Sequence, residues 1–316
     1  HRDLHSFPTR RSSDLAALIV RPAGERVHDE LAKLLSRTNC FPTVRLMLEL
    51  GLLEKIFPEL TPLRGLDQGR RHHLDALGHT MLALENLEKI LADPDRFFPG
   101  LAPDIVAYLN CGPVRVWLKT VVLFHDLGKP QTRTAAPDGQ VRFIGHEKES
   151  VRLALEILAR LKAPKIETAY IRSMIENHLR PFHLYEADRA GTLSSRGIYR
   201  LGRLMGDDLT GLLLHALADS LASLGPASLD RSGPKGHAAF FFRLSREARL
   251  RLAVLERTPR LLNGSEIMAE FNLKPSPLIR RLLEAVEEAQ ALGVLTSKAE
   301  ALDLAKKMLS QEEPPD

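Results

Sequence analysis

Histidines and aspartates that interrupt apolar segments are the side chains in this sequence best suited to bind a metal ion. His125 and Asp126 directly follow the apolar run 116–124, and Gly128 and Pro130 then turn the backbone. Burying an unpaired carboxylate costs on the order of several kcal/mol unless a cation or hydrogen-bond donors compensate. A metal ion would provide that compensation, so this context favours a metal site.

Further residues occupy comparable positions, at helix ends or within otherwise apolar helices. They are His79, His146, His178 and Asp219. Taken singly, such a histidine is more often a core or surface residue than a ligand. Together with His125 and Asp126, they supply imidazoles and carboxylates in the way that helical bundles build metal sites. His215, on the same helix face as Asp219, either supports the ligands or is simply a core residue.

A second His-Asp pair, His28-Asp29, serves as an internal comparison. It lies within a helical pattern among Glu25, Arg26 and Glu30. We therefore expect both residues of this pair to be exposed and far from the metal site.

The elements that must position these residues are predicted to be almost entirely α-helical. Apolar residues recur with helical spacing, and Gly51 stands where a helix C-cap is expected. The run 116–124 is apolar nearly all round, which also fits a buried strand, but its length and Pro113 favour a helix. The predicted helices cover residues 25–37, 42–50, 74–91, 116–124, 151–158, 166–178, 195–205 and 209–224, with three more within 237–316.

One segment has a different pattern and predicts a small β-hairpin. Residues 132–134 and 141–144 flank an Asp138-Gly139 turn. A stretch rich in glycine, proline, serine and lysine at 225–236 is predicted to be a linker or an exposed loop.

Composition indicates an ordinary globular protein. The 316 residues are 44% hydrophobic and 27% charged, and no apolar run approaches the roughly 20 residues that span a bilayer. No secretory signal is recognisable, and two cysteines are too few for a disulfide framework, so a reducing cytoplasm is the expected location. The net charge of +4 only weakly favours a polyanionic partner such as RNA.

The first fifteen residues do not share the helical pattern of the rest of the sequence. Residues 7–15 resemble the translation of a sequencing adapter and show neither helical nor strand periodicity. We therefore predict that residues 1–15 are an artefact and that the natural sequence before Ala16 is unknown. The alternative is a genuine disordered tail rich in arginine and serine.

The order of the candidate ligands resembles a known family. His79, His125-Asp126 and Asp219 match the H…HD…D pattern of HD-domain metal-dependent phosphohydrolases, and His146 and His178 match the extra histidines of members with two metals. More specifically, the chain resembles the part of bacterial CCA-adding tRNA nucleotidyltransferases and poly(A) polymerases that follows their catalytic head. The segments that carry this resemblance are 25–31, 51–53, 57–60, 124–130, 145–147, 177–181, 217–220 and 262–268.

The resemblance implies an all-α, multi-helical HD bundle with flanking helical regions. Its expected domains are a neck over 16–70, an HD domain over 71–225 and an RNA-binding helical region over 226–316. The implied metal ligands are His79, His125, Asp126, His146, His178 and Asp219. The cofactor would be one or two divalent ions, among them manganese, iron, nickel, cobalt or zinc, with magnesium possible.

The remaining roles are expectations of the same kind. Asp126, Lys129 and His146 are predicted to be catalytic, and Asp126 would bridge two ions. Lys129 and Arg180 are predicted to bind substrate, although each also fits a solvated loop residue. In the neck, the resemblance assigns Glu25 and Arg26 to nucleotide binding.

Two departures from the family pattern affect the predicted function. The head needs a Gly-Ser followed by Asp-x-Asp, whereas Gly264-Ser265 precedes no such pair, so we expect the head to be missing. Ser150 replaces an expected small residue and is predicted not to touch the ligands.

The predicted function is a metal-dependent phosphohydrolase acting on phosphomonoesters or cyclic phosphodiesters. Its partners would be tRNA or other RNA, or a phosphorylated small molecule or nucleotide, with no membrane; the alternative is a non-catalytic RNA-binding body.

Overall fold

The computed structural model describes residues 23–69, 73–135, 140–223 and 233–312. These residues are mostly helical, which confirms the all-α prediction. The two short strands among them pair as an antiparallel hairpin. None of the helices in these ranges is long and apolar enough to cross a membrane.

The helices are numbered here in chain order. The first group is α1 (Gly24–Ser36), α2 (Phe41–Glu49), α3 (Leu52–Ile56), α4 (Ala76–Ala92), α5 (Ala102–Leu109), α6 (Val114–Phe124), α7 (Lys129–Thr132) and α8 (His146–Arg160). The second group is α9 (Lys165–Asn177), α10 (Arg180–Arg189), α11 (Ser195–Met205), α12 (Leu209–Ser223), α13 (Gly233–Arg257), α14 (Gly264–Glu270), α15 (Pro277–Ala291) and α16 (Lys298–Glu312). Strands β1 (Arg133–Ala135) and β2 (Val141–Phe143) form the hairpin, and 3₁₀ turns occupy Pro58–Leu63, Pro94–Arg96 and Gly206–Asp208.

The chain divides into two compact units. The first comprises residues 1–182 and 210–241, and the second comprises residues 183–209 and 242–316. In the second unit, α14 begins with a capping box in which Asn263 and Glu266 each bond the other's backbone N–H. Apolar residues of α14, α15 and α16 form its core, including Ile267, Leu282 and Ala305.

Helix α6 is the central helix of the first unit. Every residue from Val116 to Phe124 is buried, as the all-round apolar pattern requires. The helix packs against α1, α4, α5 and α9. Its C-terminal end delivers His125 and Asp126 into the interior, so the central helix of this unit also positions the two candidate ligands.

A buried ion pair joins α6 to α4 and to the start of α2. Lys119 is 1% exposed, and its Nζ donates to Glu88 Oε1 at 2.8 Å and to the Arg37 carbonyl at 2.7 Å. The Glu88 carboxylate also accepts the backbone N–H groups of Cys40 (2.7 Å) and Phe41 (2.8 Å), at the N-terminus of α2. Glu88 therefore caps a helix other than its own.

Most of the predicted elements are confirmed with end shifts of a few residues. The hairpin is confirmed in β1 and β2, while its predicted turn at Asp138-Gly139 lies outside the described residues. Gly51 has a φ of +71°, as expected for a residue that ends a helix in the left-handed conformation. The artefact predicted over residues 1–15 also lies outside the described residues.

Other predictions were wrong or incomplete. Helices α3, α5, α7 and α10 were not predicted. Helices α3 and α7 have only five and four residues, too few for a periodic signal. In α10 the apolar residues are spread around the circumference, so it lacks a clear periodic stripe. Residues 233–236 of the predicted linker are helical, whereas residues 224–232 lie outside the described part. The last section holds α13 to α16 rather than three helices, because the seven-residue α14 is too short to give a periodic signal.

Candidate metal centre

The candidate ligands from five helical segments converge in the interior of the first unit. His79 comes from α4, His125 and Asp126 follow α6, and Asp219 comes from α12. His146 is the first residue of α8, and His178 follows the last residue of α9. Asp219 has a partly exposed side chain, and the other five ligands are buried.

The ligand atoms fall into two groups of three. His79, His125 and Asp219 form one group and Asp126, His146 and His178 the other, each with its atoms within 4.8 Å of one another. In the first group, Asp219 Oδ1 lies 2.8 Å from His79 Nε2 and 3.9 Å from His125 Nε2. Ligands about 2.0–2.2 Å from one ion are separated by roughly 3–4 Å, so these spacings suit a shared cation.

Asp126 belongs to the second group, and its carboxylate also faces the first. Its Oδ1 is 3.3 Å from His146 Nε2, whereas its Oδ2 is 3.0 Å from His125 Nε2 and 3.7 Å from His79 Nε2. One carboxylate oxygen thus faces each group. This is the arrangement expected of a carboxylate that bridges two ions.

Hydrogen bonds to backbone carbonyls orient three of the imidazoles. The Nδ1 atoms of His125, His146 and His178 each donate to the carbonyl three residues earlier, at 2.8, 2.8 and 2.7 Å. Because a carbonyl can only accept, Nδ1 must carry the proton. In the neutral form of each ring, the Nε2 lone pair is then directed into the cluster, as metal ligation requires.

Two of these Nε2 atoms lie close together. His146 Nε2 and His178 Nε2 are 3.2 Å apart, and Asp126 Oδ1 is 3.3 Å from the first. Burial, and then the neighbouring His146, lowers the pKa of His178 well below its ordinary value, so this ring is neutral. Two facing acceptors at this distance need a proton or a metal ion between them, and the nearby Asp126 oxygen makes this donor set fit a metal ion.

The charges of the cluster also favour a cation. Burial would raise the pKa of Asp126, but His125 and Lys129 lower it well below its usual range. Burial likewise would raise the pKa of Asp219, but His79 lowers it. Against the lowering effect of burial, Asp126 raises the pKa of His125. A metal ion would displace that proton, because a ligating imidazole must be neutral.

Two glycines allow the ligand segments to approach one another. A Cβ at Gly128 would collide with the His146 carbonyl and the Ser150 amide nitrogen. The Gly128 N–H instead donates to Ser150 Oγ at 2.8 Å, which ties the loop after Asp126 to α8. Gly145 has a φ of +82°, a conformation that favours glycine and starts α8 at His146. Ser150 thus bonds the loop that follows Asp126.

Lys129 lies at the edge of the cluster and is not a solvated loop residue. Its side chain is 9% exposed, and its Nζ is 2.6 Å from Asp126 Oδ2. The Nζ also donates to Gln68 Oε1 at 2.6 Å and lies 5.6 Å from the centre of the Phe143 ring. The contact between Gln68 and Lys129 was not predicted, because the two residues are 61 positions apart and no sequence pattern links them.

His215 lies in the interior next to both ligand groups. Its ring contacts those of His125 and His178, with centres 4.9 and 5.8 Å apart. The residue is fully buried, and neither ring nitrogen has a hydrogen-bond partner within the described part of the chain. Burial, and then His125, lowers its pKa to about 3.

The other predicted site residues lie outside the cluster. Arg180 is exposed at the start of α10, and Glu25 and Arg26 are exposed on α1. The prediction that His28-Asp29 is fully exposed was wrong for His28. Asp29 is 64% exposed, but His28 is 16% exposed, because its Nε2 pairs at 2.9 Å with the buried Glu167 of α9.

Two protein families match this chain. The HD domain family matches residues 76–224, which include every residue of the metal-ligand cluster. A family described as the probable RNA and SrmB-binding site of polymerase A matches residues 12–63.

Curated relatives match nearly the whole sequence. An A-adding tRNA nucleotidyltransferase of Deinococcus radiodurans is 33% identical over 285 residues, covering 89% of this chain and 57% of the relative. A CC-adding tRNA nucleotidyltransferase of Thermus thermophilus is 32% identical, covering 89% of this chain and 56% of the relative. A multifunctional CCA protein of Alkalilimnicola ehrlichii is 31% identical over 54% of this chain and 35% of the relative. The chain thus spans little more than half the length of the first two relatives, and over that span it is similar to tRNA nucleotidyltransferases, with matches to the HD domain family and to the RNA-binding family of polymerase A.

Proposed function

We propose that the buried cluster binds one or two divalent transition-metal ions and hydrolyses phosphomonoesters or cyclic phosphodiesters, including those at RNA ends. The observation that carries this proposal is the 3.2 Å approach of the His146 and His178 Nε2 atoms beside Asp126. Mixed imidazole and carboxylate ligation suits manganese, iron, nickel, cobalt or zinc.

Each candidate ligand has a role in this proposal. His79, His125 and Asp219 would hold one ion, His146 and His178 would hold a second, and Asp126 would be a ligand of both. When bound, a divalent ion lowers the pKa of a coordinated water towards about 7 and so supplies a nucleophile. The roles of Lys129 and Arg180 concern the substrate instead. Lys129 neutralises a phosphate oxygen at the edge of the cluster, and exposed Arg180 binds a more distant part of the substrate.

Metal content and hydrolysis test the proposal together. The purified chain is stripped with a chelator, reloaded with manganese or nickel, and assayed for bound metal and for hydrolysis of p-nitrophenyl phosphate and 2′,3′-cyclic nucleotides. We expect metal binding and activity in the wild-type chain, with loss of both in His146→Ala and Asp126→Asn. The exposed His183 provides a matched control, since His183→Ala should change neither. A wild-type chain that binds no transition metal would refute the proposal.

A second candidate function, RNA binding, is favoured by the polymerase A-type match over residues 12–63. Because the relatives named above act on tRNA, we propose tRNA as the RNA, with Glu25 and Arg26 on α1 contacting a nucleotide. Exposed arginines of the second unit would contact phosphates. Several of them already pair with acidic residues, such as Arg280 with the exposed Glu284 at 3.0 Å. Exposed pairs of this kind are worth little, so phosphates can displace them.

A filter-binding titration of tRNA tests this second function. We expect weak binding that is lost as salt rises, because phosphate contacts act through counterion release. Arg26→Ala should weaken binding, whereas Arg45→Ala on α2, another exposed arginine of the matched segment, provides a local comparison. The absence of tRNA binding at low salt would refute the proposal.

A further inference from the structure

We propose that Gln68 is a positioning residue that holds the Lys129 ammonium against the phosphoryl group of the substrate. This inference rests on the proposed phosphohydrolase function and identifies the part of the substrate that this edge of the cluster binds. It concerns a glutamine whose identity suggests no catalytic role and which lies outside the metal-ligand set.

Three groups enclose the Lys129 ammonium. Asp126 Oδ2 and Gln68 Oε1 are each 2.6 Å from Nζ, and the centre of the Phe143 ring on β2 is 5.6 Å away. Gln68 is itself only 5% exposed, and its Nε2 donates to the Leu74 carbonyl at 3.3 Å. The orientation of the glutamine amide is thereby set, with its oxygen towards the lysine.

Two of these three groups hold the ammonium without neutralising it. The amide oxygen of Gln68 accepts a hydrogen bond but carries no net charge, and an aromatic face attracts a cation through its quadrupole. Asp126 is the charged neighbour, and its oxygens also face the ligand imidazoles. With metal ions bound, Asp126 would share its charge with them, and the ammonium would be available to an anion.

The chemistry of lysine then indicates the ligand. Its ammonium is a compact charge with three N–H donors, one of which bonds Gln68, while Asp126 forms an ion pair with it. A remaining donor serves a phosphate oxygen lying between Lys129 and the metal ligands. A glutamate at position 68 would neutralise the lysine and repel that oxygen, which explains why an amide suits this position.

A double-mutant cycle on the metal-loaded full chain tests the inference, with inorganic phosphate as the probe. Gln68→Met and Lys129→Met are each near-isosteric and remove one partner. We expect each to weaken phosphate binding by about tenfold, the scale of one hydrogen bond to a charged group, with metal content unchanged. The double variant should bind phosphate no more weakly than Lys129→Met alone, because Gln68 acts through Lys129.

A buried glutamine elsewhere provides the matched control. Gln290 is 6% exposed in the second unit and bonds Thr258 and Pro259, so Gln290→Met should lower stability without changing phosphate affinity. Wild-type phosphate affinity in Gln68→Met, additive losses in the double variant, or loss of metal from Gln68→Met would each overturn the inference. A wild-type chain that binds no metal would instead refute the proposed function, and one that binds metal but not phosphate would overturn the role of Gln68 alone.

Discussion

The buried pair of Lys119 and Glu88 allows a quantitative prediction for the variant Lys119→Met. Methionine keeps most of the buried aliphatic volume but removes the ammonium, leaving the Glu88 carboxylate with the Cys40 and Phe41 backbone donors and the Cys40 thiol. Breaking a buried pair in this way costs about 3–5 kcal/mol. Because two backbone donors remain, we expect the free energy of unfolding to fall by about 3 kcal/mol at pH 7.

The cost should depend on pH in a defined direction. Burial would raise the pKa of Glu88, but hydrogen bonds from Lys119 and from the Phe41 and Cys40 amides lower it below its ordinary value. A lowered carboxyl pKa contributes stability above the unfolded pKa and loses it as pH falls through the folded value. The difference between wild type and Lys119→Met should therefore be largest near neutral pH and shrink below about pH 4.5.

The chain's only tryptophan makes this measurement specific to the first unit. Trp117 is buried on α6, so its fluorescence during urea unfolding reports on the unit that contains the ion pair. Lys89→Met is the matched control, because Lys89 pairs with Glu85 on the surface of α4 and should cost less than about 1 kcal/mol. The double variant Lys119→Met/Glu88→Leu should regain much of the lost stability. A loss below about 1 kcal/mol, or one that does not vary with pH, would refute the reasoning.

Three further predictions test the metal centre and the RNA surface. Gly128→Ala should push the loop after Asp126 away from α8, lower the free energy of unfolding by about 1–3 kcal/mol and reduce bound metal. As a control, Gly264→Ala should be tolerated, because its new Cβ would meet its nearest atom at 3.5 Å. Urea unfolding and metal analysis measure both effects. In the presence of chelator, His215→Leu should raise the free energy of unfolding of the metal-free chain by about 1–2 kcal/mol. The reason is that it removes buried ring nitrogens that have no hydrogen-bond partner in the described residues. A destabilised variant would contradict this. Association with tRNA should weaken at least tenfold between about 50 and 200 mM salt, and a flat titration would exclude phosphate contacts as its source.

The candidate ligands could be picked out from the sequence because their identities conflict with their surroundings. An aspartate such as Asp126 after an apolar run has no structural reason to be there, and that conflict is visible in the sequence. Gln68 offers no such conflict, because a glutamine near a loop is unremarkable until the fold brings it to Lys129. Its role depends on a contact 61 residues away, which no local pattern contains.

The same limit explains the error at His28. Its neighbours on α1 are charged, so the local pattern predicts a solvated position. The structure brings the buried Glu167 of α9 within 2.9 Å of His28 Nε2, and this distant carboxylate accounts for the low exposure. Helical periodicity thus predicted that the elements exist but could not show which side chains pair between them.

The contacts of Glu88 also bear on how this chain can be dissected. The carboxylate lies in the segment that matches the HD family, yet it caps α2, which lies in the segment that matches the RNA-binding family. The Arg160 guanidinium of α8 similarly bonds Glu59, at 2.6 Å. The boundary between the two sequence families therefore crosses a shared interior. A fragment cut between them would lose one side of these contacts, and the metal centre is best studied with the preceding helices attached.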